Sequence, residues 1–296
     1  MDGLNLLVSV LEERGYPVEW RDMSGDIERL AKSDRRHLHV VVDDAPLCGP
    51  NILYCGPSYL RGFWYVDPVG IRNSSSMQTK PFRPEEMSQS FADTFTARLR
   101  STFIDGNLSK FDQDLVTGFA PERESICLFL QRFKTPKYYP HYMSYPELIE
   151  GVIANRGGRR VYIKPHPRQK EKDLEIVQSY HDPDNGVEVT THSIHGLLAE
   201  AAVAVSLSSA VLLEAQMHRV PGIVGAQVDF HHNMVVVRNP AGIRDALDRA
   251  LAGTFHYEKY LAFFFAQGMV QPRLRQKAAE RMKQILTEMG FGGASV

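Results

Sequence analysis

The sequence predicts an α/β protein whose second half is a parallel sheet covered by helices on both faces. Short apolar runs alternate strictly with helix-length segments over about 130 residues, from 124 to 253, and that alternation is the signature of strand–helix–strand units. The helical segments stop on glycine or on turn-forming clusters such as Asp-Pro-Asp-Asn-Gly. Two apolar runs end in polar turns, "KPHP" and "SLSSA", where open parallel sheets hold their ligands.

In the first half, "LNLLVSVLEERG" reads as an amphipathic helix with a glycine stop, followed by a short strand. The chain thus starts on a helix rather than on the strand that usually opens a nucleotide-binding half. "DIERLAKSD" reads as a helix, "HLHVVVDDAP" (37–46) as a strand and "NILYCG" (51–56) as a second strand. "GFWYVDPVGIRNSSSM" (62–77) turns from aromatic to glycine- and serine-rich and is expected to be an ordered loop. "RPEEMSQSFADTFTARLRSTFIDG" (83–106) is a long helix, and the polar stretch 107–124 a linker.

The second half opens with a strand at 124–131, then a helix at 144–158 closed by Gly-Gly, and the strand of "RRVYIKPHP". A helix at 171–182, a strand at 187–191 and a serine-capped helix at 193–201 follow. The strand at 202–209 leads into a helix at 210–219, a strand at 220–227 and a helix at 239–253. The tail, 271–290, is amphipathic and helical. This organisation divides the chain into 1–118, an irregular α/β domain, 119–270, a Rossmann-like domain, and a tail helix at 271–296.

Composition narrows the function. The 296 residues are 43% hydrophobic and carry a net charge of −1, so nothing global attracts nucleic acid and any anion site must be local. Cys48, Cys55 and Cys127 are odd in number and unclustered, which argues against a disulfide framework or a zinc site and fits a reducing cytoplasm. No apolar run reaches the ~20 residues that span a bilayer, and the N-terminus lacks the basic leader of a signal peptide.

The chemistry concentrates at the two polar turns. Prolines on either side hold His166 in a stiff, extended turn, and Lys164 ends the strand before it. Ser206, Ser208 and Ser209 stand where the next-but-one strand enters a helix, a place where exposed N–H groups and hydroxyls receive phosphate. Together these residues make a pocket for a phosphodiester or a diphosphate. Serines also cap helices routinely, and "RQKEKD" is most simply a solvated face. Adjacent His231 and His232 suit a surface or acceptor edge, and His192 and His195 lack a third metal ligand.

"YIKPHP" followed about 42 residues later by "SLSSAVLLEAQMHRVPGIV" resembles bacterial glycosyltransferases of the GT-B fold, in particular the Kdo transferases of capsule and lipopolysaccharide synthesis and the bacterial sialyltransferases. "HSIHGLLAEAAVAVSLSSAVLLEA" and, more loosely, "GFWYVDPVGIRNSSS" are similar to segments of capsule polysaccharide proteins. The resemblance covers 159–225 well, 62–76 loosely and the rest hardly at all. It implies two Rossmann-type domains with parallel sheets, the N-terminal one (1–118) reduced or irregular and on the acceptor side, the second (119–270) binding the nucleotide sugar, the tail helix (271–296) packing back on the first, and chemistry in the cleft between the halves.

It also implies a cytidine monophosphate (CMP)-linked donor, such as Kdo or another sugar acid, and a surface polysaccharide or lipid-linked glycan acceptor. His166 would contact the donor phosphate or protonate the leaving group, Lys164 would neutralise its charge, and Ser208 and Ser209 would bind it. Glu214 would face the ribose or cytosine, or simply solvent. No cofactor is expected: a monophosphate donor presents no diphosphate for a metal to bridge, and no Asp-x-Asp in a metal-type context occurs. A lipid-linked acceptor would bring this cytoplasmic protein to the inner membrane as a peripheral partner. For the working acid, Asp43 and Asp44 at a strand end fit best, with Asp67 more suited to a turn and Asp105 to a helix end. In one respect the chain departs from the pattern. Retaining capsule-type Kdo transferases place an acid beside a glutamine in the first strand of the second half, whereas this chain has Leu130 before Gln131. Two competitors share these signals: a cytidine diphosphate (CDP)-alditol phosphotransferase of teichoic or capsule type, and a catalytically degenerate subunit that binds nucleotide or glycan.

Overall fold

The computed structural model describes residues 2–21, 29, 33–34, 36–42, 47, 49–109, 120–133 and 140–293. In chain order it contains α1 (Gly3–Glu13), β1 (His39–Val41), β2 (Ile52–Pro57), β3 (Trp64–Asp67), α2 (Gln89–Arg100), β4 (Ser125–Phe129), α3 (Tyr145–Ala154), β5 (Val161–Lys164), α4 (Glu171–Gln178), β6 (Val187–Val189), α5 (Ile194–Ala199), β7 (Ala201–Ser206), α6 (Val211–Met217), β8 (Gly222–Val224), β9 (Val235–Val236), α7 (Ile243–Ala252), α8 (Tyr257–Leu261) and α9 (Arg275–Glu288). The chain forms two compact units, residues 1–80 with 264–296 and residues 81–263. The sequence reading draws its borders at 118/119 and 270/271; the compact units divide at 80/81 and 263/264.

The second unit carries a six-stranded, all-parallel sheet in the order β6-β5-β4-β7-β8-β9. Order reverses on either side of β4, the first strand in sequence, as it does in doubly wound folds. Strands buried on both faces read as continuous apolar runs, and every residue of β4 is buried. One core joins Ile126, Leu128, Ile163, Val205 and Ile223 of the sheet to Leu148 and Val152 of α3 and to Ile243 and Leu247 of α7. Ser144 and Glu147 close a full capping box at the start of α3. Beyond its end, Gly157 and Gly158 take φ values of 59° and 82°, a region that a side chain makes costly. The segment predicted as one long helix over 83–106 is broken: a 3-10 turn at Pro84–Glu86 precedes α2, and a π-helical turn at Ser101–Asp105 ends it.

The first unit has a small mixed sheet. β1 and β2 are parallel, and β3 runs antiparallel to β2. β3 lies inside the stretch expected to be a loop: Trp-Tyr-Val favours strand backbone, and only pairing with β2 reveals so short a run. Leu6, Leu7 and Val10 of α1 pack with Leu53, Val66, Met282 and Leu286 in one core, so the tail helix α9 belongs to this unit. Arg14 ties the two helices together, donating from Nη1 to Phe291 O at 2.9 Å and from Nη2 to Lys283 O at 3.2 Å. The predicted helix 26–34 lies almost wholly outside the described residues.

Candidate functional site

The carboxyl ends of β5, β4 and β7 finish at one level. Lys164 pairs in register with Phe129, and Leu128 with Val205, which leaves Ser206 beside Phe129. Ser206 Oγ donates to Phe129 O at 2.5 Å and accepts from Ser209 N at 3.1 Å, and the residue is fully buried. The polar turns after β5 and β7 therefore share one edge of the sheet, two strand positions apart, or roughly 10 Å between backbones.

The side chains on that edge divide by what they touch. Lys164 Nζ donates to Thr191 O at 2.8 Å and His192 O at 2.6 Å. Both carbonyls follow β6, so the ammonium is turned to the side of β5 opposite β7, and it locks the β5 and β6 ends together rather than facing the serines. His166 Nδ1 accepts from Arg168 N at 3.0 Å, so the neutral ring carries its proton on Nε2. Ser209 is 5% exposed, and its Oγ accepts from Val211 N at 3.3 Å, a bond within the turn that leads into α6. Ser208 is the half-buried member of the three. Among the described residues, the backbone N–H groups of Ser208 and Ala210 donate to no partner.

A further group meets Ser208 that sequence reasoning missed. Residues 140–142 run antiparallel to 225–227, with Tyr142 N donating to Gly225 O at 2.9 Å and Gln227 N to Pro140 O at 3.3 Å. This sets His141 Nε2 3.1 Å from Ser208 Oγ. The Tyr145 phenol, at the first turn of α3, lies beside Ser208 and accepts from Gln131 N at 3.0 Å. Its ring stacks on Phe133 at 4.9 Å and meets the His141 ring edge-on at 5.7 Å. Burial holds the His141 imidazole below its ordinary pKa and pushes the Tyr145 phenol well above its own. At neutral pH the histidine is uncharged and the phenol keeps its proton, so His141, Ser208 and Tyr145 form a neutral hydrogen-bonding group aimed at the turn after β7. The one hint in the sequence is "PHYMSYPE", a Pro-His pair just ahead of a capping box.

The remaining candidate residues lie elsewhere. Glu214, on α6, is 2% exposed: Ser109 Oγ donates to Oε1 at 2.9 Å, and His195 Nε2 lies 3.7 Å from Oε2. Burial pushes its carboxyl pKa up to about 7. It is neither solvated nor open to a ribose among the described residues. His195 is itself buried, with Nδ1 2.9 Å from His218 Nε2 and Nε2 3.0 Å from Leu108 O. Asp67 shapes a turn: its carboxylate accepts from Val69 N at 2.8 Å, Gly70 N at 3.1 Å and Ser76 Oγ at 2.6 Å. Asp105 sits exposed at the end of the π-helical turn. Asp43 and Asp44 fall outside the described residues. Leu130 is 3% exposed and packed in the core of the second unit. Among the described residues, no three His, Cys, Asp or Glu side chains come together as a metal ion would require. No described helix is long and apolar enough to cross a membrane.

The chain has the GT-B fold. Over 94% of its length it superposes on 95% of a solved Thermosulfurimonas dismutans structure, KpsC, beta Kdo 2,7 transferase, with a TM-score of 0.54 at 11% identity. A second structure, Thermosulfurimonas dismutans KpsC, beta Kdo 2,4 transferase, matches over 71% of each chain with a TM-score of 0.44 at 17% identity. Methanocaldococcus jannaschii UDP-GlcNAc 2-epimerase, solved with UDP-GlcNAc and UDP, matches 95% of this chain and 88% of its own with a TM-score of 0.40 at 14% identity. No protein-family model matches the sequence, and no curated protein does.

Proposed function

We propose that the protein is a glycosyltransferase that moves a sugar from a nucleotide donor to a glycan acceptor, and that the donor is a CMP-linked sugar acid of the Kdo type. One observation supports this most strongly: the His166 turn and the Ser206–Ala210 turn lie on the same carboxyl edge of a doubly wound sheet, where such folds take nucleotides. Breaking a glycosyl–phosphate bond builds negative charge on the departing phosphate. Donors fixed in advance at that charge lower the barrier more than they stabilise the bound donor. In this reading those donors are His166 Nε2–H, the Ser208 hydroxyl and the N–H of Ala210, with His141 and Tyr145 orienting Ser208. Ser206 and Ser209 hold the turn in shape, and Lys164 holds the neighbouring strand end. The acid that works on the acceptor hydroxyl is Asp43 or Asp44 in this reading, and no metal takes part.

Calorimetric titration of CMP into the protein tests the binding half, and a donor-hydrolysis assay with CMP-Kdo, repeated in EDTA, tests the chemistry. Micromolar to millimolar CMP binding together with EDTA-insensitive release of CMP supports the proposal; no CMP binding defeats it. Release of CMP from a CDP-alditol instead assigns the phosphotransferase chemistry. Burial of Leu130 in the core, where retaining Kdo transferases carry an acid, favours a second reading: a subunit that holds nucleotide or glycan without turnover. CMP binding with neither hydrolysis nor transfer selects it.

A further inference from the structure

The groups proposed to receive the departing phosphate are an imidazole N–H, a hydroxyl and a backbone N–H. The lysine expected to neutralise that phosphate is engaged elsewhere: Lys164 Nζ donates to Thr191 O and His192 O, beyond β6. A growing negative charge is thus left with no ammonium or guanidinium facing it, although a fixed cation at such a charge is among the strongest aids to the reaction. That cation belongs where the strand order reverses, because this crevice receives the nucleotide. The chain runs from β4 outward through β5 and β6 and returns to β7 on the other side of β4. The crevice therefore lies between the carboxyl ends of β4 and β7.

Arg132 lies in the turn that leaves β4 at this crevice. The chain on both sides of it is fixed against one ring: Gln131 N donates to the Tyr145 phenol at 3.0 Å, and Phe133 stacks on the Tyr145 ring at 4.9 Å. Tyr145 lies beside Ser208, and Phe129, at the end of β4, accepts from Ser206 Oγ. Adjacent Cα atoms are roughly 3.8 Å apart, so the Arg132 side chain starts one residue from groups that contact the ring beside Ser208. Its guanidinium is unclaimed. Arg132 is exposed, and among the described residues its side chain makes no hydrogen bond, ion pair or ring contact. Glu147, the acid in the first turn of α3, is engaged by Ser144 N and Ser144 Oγ, each at 2.7 Å. Arg238, past β9, already has a place: it stands over the Tyr142 ring at 5.2 Å and donates to the Tyr142 hydroxyl at 3.2 Å.

We infer that Arg132 is the phosphate-binding cation of the donor site, in the role the sequence suggested for Lys164; the inference rests on the donor-site reading above. When the bond between the anomeric carbon and the phosphate oxygen breaks, its electron pair stays on that oxygen and the phosphate gains negative charge. The acceptor oxygen bonds the carbon, and its proton passes to the carboxylate proposed on the acceptor side. The Arg132 fork donates to two phosphate oxygens together, and it holds the departing group more tightly than the intact donor because the charge it faces has grown.

Calorimetric titration of the full chain with CMP and with cytidine tests this. Arg132→Gln should weaken CMP binding by about tenfold to a hundredfold and leave cytidine binding unchanged, since the nucleoside has no phosphate. Arg132→Lys should keep part of the CMP affinity, because an ammonium retains the charge without the fork. Arg238→Gln removes an exposed arginine outside the site and should bind CMP like the parent; circular dichroism checks that each variant is folded. CMP affinity in Arg132→Gln equal to the parent's, a matching loss for cytidine, or an equal loss in Arg238→Gln overturns the inference and leaves the donor-site reading standing. A parent that binds no CMP defeats the donor-site reading, and this inference with it.

Discussion

His141 Nε2 lies 3.1 Å from Ser208 Oγ, joining two loops 67 residues apart in sequence at the carboxyl edge of the six-stranded sheet. Removing either partner should lower nucleotide affinity without unfolding the protein, because neither residue belongs to the core. Ser208→Ala and His141→Ala should each weaken CMP binding by about tenfold, in line with the loss of one or two hydrogen bonds to a charged ligand. Titration calorimetry reads the loss, and the melting temperature should stay close to the parent's. Unchanged affinity in both variants would remove this group from the site.

Ser206 should behave in the opposite way. Its hydroxyl is fully buried, donates to Phe129 O and accepts from Ser209 N. Ser206→Ala leaves both partners unpaired in the interior and should cost about 1–3 kcal/mol of stability. Chemical denaturation measures it; a midpoint equal to the parent's would show that the turn does not depend on this hydroxyl.

The buried Glu214–His195–His218 cluster should give two opposed pH dependences. Glu214 titrates near 4.5 when unfolded and at about 7 when folded. Between those values the native state holds the extra proton, so this group's contribution to stability falls as pH rises, by about 3 kcal/mol in all. His218 is held down to about 4 from 6.5 by burial and by the neighbouring His195 and Arg100 charges. Between those values the unfolded state holds the extra proton, so its contribution grows as pH rises. Burial lowers His195 too and adds to the histidine side. The parent should therefore show a shallow profile between pH 4.5 and 6.5, and Glu214→Gln a profile rising steeply with pH over the same window. Denaturant melts across that range decide it: parallel profiles for the two proteins would refute the assignment.

Restoring an acid beside Gln131 should not create a working nucleophile. Leu130 is 3% exposed among aliphatic neighbours, and its N–H donates to Lys164 O at 2.9 Å. Leu130→Asp buries a carboxyl group without a partner and should cost 3 kcal/mol or more, order of magnitude. A large drop in melting temperature with no gain in donor hydrolysis is the expected result. A stable variant with new hydrolysis would mean that this position opens onto the substrate.

The second unit was largely legible before any coordinates. Buried parallel strands must be apolar throughout, and their helices must carry stops and caps, so "ESICLFLQ", "RRVYIKPHP" and "SYPELIEGVIANRGG" announce themselves. The first unit was less so. β3 is four residues long and exists through its antiparallel pairing with β2, a non-local contact with no local period. At the site, Ser208 and His166 could be read from their turns. His141 could not, because its partner comes from a crossing between 140–142 and 225–227. Lys164 and Glu214 looked alike as charges near a strand end or helix start. Only packing shows that one ties down carbonyls beyond β6 and the other is sealed against Ser109 and His195.

By itself, then, the sequence determined the α/β class, the parallel sheet of the second half and the two polar turns at its carboxyl edge, because apolar periodicity, caps and proline act over a few neighbouring residues. Tertiary structure alone decided which polar side chains hold the scaffold and which remain for a ligand. A hydroxyl, an ammonium or a carboxylate has the same local character in either role, and its use is settled by groups tens of residues away that claim or leave its hydrogen bonds.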